Sequence, residues 1–129
     1  MSRDDHVPLR HMLDAATDAL SFVEGRVLAD LHTDRMLLHA LIRCLEVIGE
    51  AAGDLSDACR DQATHVPWRA MIAMRNRLIH GYFDVDHEIV WLTVTRRLPD
   101  LVTRVRDLLS EIASPSVPPG TIPAKTPEA

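Results

Sequence analysis

The stretch Arg75-Asn76-Arg77-Leu78-Ile79-His80-Gly81-Tyr82 gathers a guanidinium, an imidazole and a phenol within eight residues. Arginine grips a phosphate through its planar fork and stabilises charge that develops on it. Histidine can serve as acid or base near neutral pH. Metal-free scission of an RNA strand needs a base for the 2′-hydroxyl, a cation for the phosphorane charge and an acid for the leaving oxygen. Arg75 and His80 are therefore the candidate catalytic pair, with Asn76 and Arg77 as supporting residues. Tyr82 can position a substrate or donate a hydrogen bond.

The placement of Arg75 is unusual. The apolar stripe of its helix runs through 68, 71, 72, 78 and 79, and periodicity puts position 75 on the same stripe. A charge there is costly unless it meets a carboxylate, a polar interface or an anionic ligand. His80 lies five residues on, about 140° around an ideal helix, so one helix does not aim both groups at one point. Two solutions are open. The helix can end at His80, before Gly81, freeing the imidazole, or a two-fold dimer can bring two seams together. A plainer reading pairs Arg75 with Glu46 or Glu50 and makes His80 a C-terminal cap. Glu46 and Glu50, one turn apart, read as salt-bridging groups that position Arg75 rather than as a cation site.

Helical periodicity accounts for the elements that hold this segment. Pro8 opens a first helix carrying Met12, Leu13, Ala16, Leu20 and Val23, which ends near Gly25. The stretch Arg26 to Thr33 is a connector with room for one short turn. From about Asp34 to Leu55 the residues Leu38, Leu41, Ile42, Leu45, Ile48 and Ala52 fall on one face. Gly49 lies in that stripe, where it lets another helix approach closely. The segment Gly53 to Val66 is polar and irregular. A third long helix starts near Pro67 and stops around Gly81; a fourth follows a cap at Asp84 or Asp86 and carries Val94, Leu98, Leu101, Val105 and Leu108. Pro99 cannot donate to the Thr95 carbonyl, so a kink is expected there. The pattern predicts an all-α, antiparallel four- to five-helix bundle over residues 1–113. Residues 114–129 hold five of the eight prolines and form a separate tail, disordered or docked.

Composition narrows the function classes. The 129 residues suit one domain, 47% apolar and 26% charged, with aromatics at only 4%. A net charge of −5 argues against a protein that coats nucleic acid and leaves room for a compact basic site. Cys44 and Cys59 show no metal spacing and read as reduced thiols. His6, His11, His32, His39, His65 and His87 lack ligand spacing and read as surface or capping residues. Trp68 and Trp91 read as helix anchors, and Met71 and Met74 as packing. No metal or cofactor is expected. With no signal segment and no run near the roughly 20 apolar residues of a membrane span, a cytoplasmic location is expected.

The motif Arg75-Asn76-Arg77-Leu78-Ile79-His80-Gly81-Tyr82-Phe83, followed by Asp86, Ile89-Val90-Trp91 and Leu98-Pro99, closely resembles the DUF86/HepT family of HEPN domains. So do Leu45-Glu46-Val47-Ile48-Gly49-Glu50-Ala51-Ala52 and Val66-Pro67-Trp68-Arg69. The similarity spans roughly residues 8 to 112, in three separate motifs in the right order. It implies a HEPN-like helical bundle that forms a homodimer and cleaves RNA without metal through Arg75 and His80. It also implies a type VII toxin–antitoxin pair, with a minimal nucleotidyltransferase of the MntA type as antitoxin. In that arrangement the antitoxin adds AMP to the motif tyrosine, here Tyr82. The alternative is a non-catalytic HEPN module that dimerises and docks the nucleotidyltransferase.

Overall fold

A computed structural model describes residues 3–80 and 86–113, the side chains of Arg3, Ile79 and His80 excepted. After a single 3-10 turn at Arg3–Asp5 come α1 (His6–Phe22), the short α2 (Asp30–Thr33), α3 (Arg35–Asp54), the short α4 (Asp57–Asp61) and α5 (Trp68–His80). Then α6 (His87–Leu92) runs through a π-helical turn (Thr93–Arg97) into α7 (Leu98–Ala113). Among the described residues there is no strand, and the all-α helical bundle expected from periodicity is what forms.

The longest helix, α3, is the centre of the bundle, packing α1 on one side and α5 on the other, while α7 covers α1. Its start is set by Asp34, whose carboxylate accepts from the Leu37 N–H at 3.0 Å and also pairs with Arg26. Leu41, Ile42, Leu45, Ile48 and Ala52 of the stripe read from the sequence are buried, while at its start Leu37 is buried and Leu38 only partly so. α1 contributes Leu9, Met12, Ala16 and Ala19, and α7 contributes Leu101, Val105 and Leu108. Past the end of α1, Gly25 adopts φ +74°, a left-handed turn that L side chains resist.

Two local features depart from the sequence reading. The segment read as irregular contains α4, capped by Ser56, whose Oγ accepts from the Cys59 N–H at 3.1 Å. The same hydroxyl donates to Asp5 Oδ2 at 2.7 Å, and the Ser56 N–H donates to Asp5 Oδ1 at 2.8 Å. Asp5 is thus a buried carboxylate with charge-assisted hydrogen bonds, tying the start of α1 to the start of α4. The second lies just ahead of Pro99, where the helix widens into a π-helical turn. There the Leu98 N–H reaches back five residues to the Thr93 carbonyl. A π-helical turn relaxes the ladder that the proline would otherwise break, and α7 continues without interruption.

The remaining connections behave as expected. Asp86, not Asp84, is the observed cap, accepting from the Glu88 and Ile89 N–H groups at 2.9 and 3.2 Å. Asp84 lies outside the described residues, as do the turn around it and the tail 114–129. Cys44 and Cys59 are free and buried. No helix among the described residues is long and apolar enough to cross a membrane.

Candidate active site

The seam between α3 and α5 is where Arg75 is placed. At Gly49 the two helices are so close that a Cβ added there would lie 2.8 Å from the Met71 carbonyl oxygen and 3.1 Å from Arg75 Cγ. It would also overlap Arg75 Cβ. The absence of a side chain at position 49 therefore forms a notch, and the root of Arg75 fills it. This is backbone-to-backbone positioning, stiffer than a salt bridge between two long side chains could supply.

Fixed in this way, Arg75 is half-buried as a residue. Its Nε is shielded from solvent and has no hydrogen-bond partner. One terminal nitrogen donates to Asn76 Oδ1 at 3.0 Å. Among the described residues no carboxylate comes within ion-pair distance. Glu46 instead lies 3.6 Å from Arg43, and Glu50 is exposed. The pairing of Arg75 with Glu46 or Glu50 that the sequence allowed does not form. Asn76 is the residue that touches Arg75, and it supplies a neutral acceptor that leaves the positive charge uncompensated.

α5 carries the other motif residues as far as its last position. The described part of this helix runs to His80. Its side chain and the whole of Tyr82 lie outside the described residues. Arg77 and Arg69 are exposed on the same helix. The helix itself is held at its first residue by Trp68, whose buried indole N–H is shared between the Arg60 and Ala63 carbonyls at 3.2 and 3.1 Å. That bonding makes Trp68 an anchor rather than a stacking platform.

Beside the seam runs a cleft of about 550 Å³, between α5 and the α6–α7 rod. Leu45, Ile48, Met71 and Met74 form its apolar floor, and Arg96 and Arg97 from the π-helical turn stand on its rim. Sequence reasoning passed over these two arginines; the only available signal was a dibasic pair three residues ahead of Pro99. Among the described residues no group of three or more His, Cys, Asp or Glu side chains is arranged to hold a metal ion.

A cation fixed in an apolar seam, inside this bundle, agrees with the comparison with known proteins. The family model described as ribonuclease HepT-like matches residues 12–108. The chain belongs to the ribonuclease HepT-like family. A relative from Caldanaerobacter subterraneus subsp. tengcongensis, named "Putative RNase", is 35% identical over 103 residues, covering 80% of this chain and 92% of its own. Another of that name from Methanocaldococcus jannaschii is 33% identical over 103 residues, covering 80% and 94%. The "Probable ribonuclease HepT" of Thermococcus cleftensis is 40% identical over 72 residues, covering 56% of this chain and 66% of its own. No solved structure matches the chain. The matched span of this HepT-like chain contains the Gly49 notch and the whole of α5, so the motif helix and its support belong to the shared part.

Proposed function

We propose that this HepT-like chain is a metal-independent endoribonuclease and the toxin of a toxin–antitoxin pair. Arg75 holds the scissile phosphate and stabilises the phosphorane, while His80 moves the proton between the 2′-hydroxyl and the leaving 5′-oxygen. The observation that carries this reading is the Arg75 guanidinium, fixed on Gly49 and lacking any carboxylate partner among the described residues. A half-buried arginine in that condition is a receptor for an anion, and in a family of ribonucleases the fitting anion is the RNA phosphate. Asn76 orients the fork, and the rim arginines Arg96 and Arg97 can meet neighbouring phosphates.

The family resemblance extends the proposal to regulation. The active form is a homodimer, its partner is a minimal nucleotidyltransferase, and AMP attached to Tyr82 silences it. Tyr82 follows His80 by two residues, so phosphate added there brings negative charge to the motif and competes with RNA for the same cations.

The test is RNA cleavage by purified protein in excess EDTA, followed by analysis of the cut ends. Cleavage with 2′,3′-cyclic phosphate and 5′-hydroxyl ends is expected, falling at least a hundredfold in both Arg75→Ala and His80→Ala. Intact mass after expression with the nucleotidyltransferase should show a gain of AMP, lost in Tyr82→Phe. A nuclease that survives both active-site substitutions refutes the assignment. Protein that leaves RNA intact while binding the nucleotidyltransferase replaces catalysis with docking.

A further inference from the structure

Two histidines that stand 55 positions apart in the sequence meet in the fold. His32 belongs to α2 and His87 is the first residue of α6, immediately after its cap Asp86. Their Nδ1 atoms are 2.9 Å apart at the solvent-facing surface, and the ring centroids are 4.5 Å apart with the planes tilted by 54°. Neither is among the residues assigned to RNA cleavage. We propose that His32 and His87 form a two-imidazole site for a divalent transition-metal ion of the Cu(II) or Ni(II) type.

The separation is that of an N–H···N hydrogen bond between the two rings, and it is also that of two ligands on one ion. Two nitrogen donors about 2.05 Å from one ion, in adjacent positions of a tetragonal or octahedral shell, stand about 2.9 Å apart. A tetrahedral zinc shell would require about 3.3 Å. The centroid distance adds to this. Lone pairs meeting head-on would hold the centroids about 5.2 Å apart, whereas a fold of about 45° at each nitrogen brings them to about 4.5 Å. The observed 4.5 Å is shorter than the head-on value, so the ring axes are folded off the line between the nitrogens, a fold that a shared ion beside that line also has.

The backbone around the pair is fixed without it. Leu31, next to His32, is buried in the core, and α2 is further held by Arg26, which pairs with Asp30 and Asp34. On the other side, Asp86 caps α6 and Val90 is buried. Binding an ion thus requires only side-chain rotation, and Asp86 and Glu88 beside His87 add negative charge in its neighbourhood. With no third protein ligand arranged among the described residues, water completes the shell and the ion remains exchangeable. Such an ion would link α2 to the start of α6, the element that follows the Tyr82 segment.

The experiment is a titration of the untagged, full-length protein with nickel(II) and then copper(II) in a non-coordinating buffer, read by calorimetry and by the visible absorption of the bound ion. One ion per chain is expected, with a rise in melting temperature. His32→Asn and His87→Asn should each weaken binding at least tenfold, while His39→Asn, an exposed control, should not. Circular dichroism verifies that each variant remains folded. Absence of binding at millimolar metal, or binding by either variant as tight as the parent's, overturns the proposal. Neither result bears on EDTA-resistant RNA cleavage, which tests the function separately.

Discussion

Replacing Gly49 by alanine tests the notch directly. In an exposed helix interior, glycine to alanine stabilises by about 1 kcal/mol. Position 49 reverses this, because the new methyl carbon would lie 2.8 Å from the Met71 carbonyl oxygen, where ordinary contact begins at 3.4 Å. It would also overlap the Arg75 Cβ, and neither obstacle is the flexible end of a side chain. α5 must retreat from α3 by at least about 0.6 Å, an overpacking that typically costs about 1–3 kcal/mol. The net expectation is a loss of up to about 2 kcal/mol, lowering the melting temperature by up to roughly 8 °C for a domain of this size. RNA cleavage should fall much further, on the order of a hundredfold, because the displaced group is Arg75. Gly53 is the internal control: it lies in the same helix with nothing within 4 Å of its added Cβ. Gly53→Ala should gain up to about 1 kcal/mol and cleave normally. Thermal unfolding and RNA cleavage on both variants decide the matter. A Gly49→Ala protein that is more stable than the parent, with unchanged cleavage, would refute the notch as the device that places Arg75.

Two further expectations concern pH. The Leu37 N–H and then Arg26 hold the Asp34 carboxyl below its ordinary 3.8. Its folded value is depressed, so its stabilisation is present above pH 3.8 and is lost as pH falls below it. Asp34→Asn should therefore flatten the acid limb of a urea-midpoint profile, and an unchanged limb would contradict the cap. Burial pushes the Cys59 thiol up from an ordinary 9.0 to about 11. Here the folded value is raised, so stability is intact below pH 9.0 and is lost as pH climbs towards about 11. A thiol reagent at pH 8 should label Cys59 only after unfolding; rapid labelling of the native protein would show that the site is open.

The helices were legible because their chemistry is local. Stripes such as Leu41-Ile42-Leu45-Ile48 and a cap such as Asp86 act within four residues; the stripe formed where the pattern put it, and Asp86 is one of the two caps the pattern offered. What could not be read depends on partners distant in the chain. The Asp5 hydrogen bonds to Ser56 span 51 positions, and α4 is anchored by that clasp together with burial of Cys59. The His32–His87 contact spans 55, and neither residue has a neighbour at ligand spacing to mark it. The π-helical turn is intermediate: Pro99 announced a disturbed ladder, but the way the helix absorbs it depends on packing. The site was legible in halves. Gly49 stood out as a point of close approach and Arg75 as a cation on an apolar stripe, yet only packing shows that each is the other's reason.

That mutual placement separates a structural arginine from a functional one. Truncating one partner of a buried ion pair typically costs 3–5 kcal/mol, because the remaining charge is stranded. Arg75 strands nothing: among the described residues it has no carboxylate partner, and its own Nε is a shielded donor left without an acceptor. Arg75→Met keeps the Cβ that fills the Gly49 notch and removes the unsatisfied group, so the fold should lose less than about 1 kcal/mol or become slightly more stable. Cleavage should nevertheless fall with the charge. Urea unfolding of this one variant, run beside the RNA assay, distinguishes the alternatives. A drop of more than about 3 kcal/mol would mean that the guanidinium holds the bundle together through a strong pairing, as a buried ion-pair partner does. Retained stability with lost cleavage would mean that the bundle holds the guanidinium, and holds it for an anion that comes from outside.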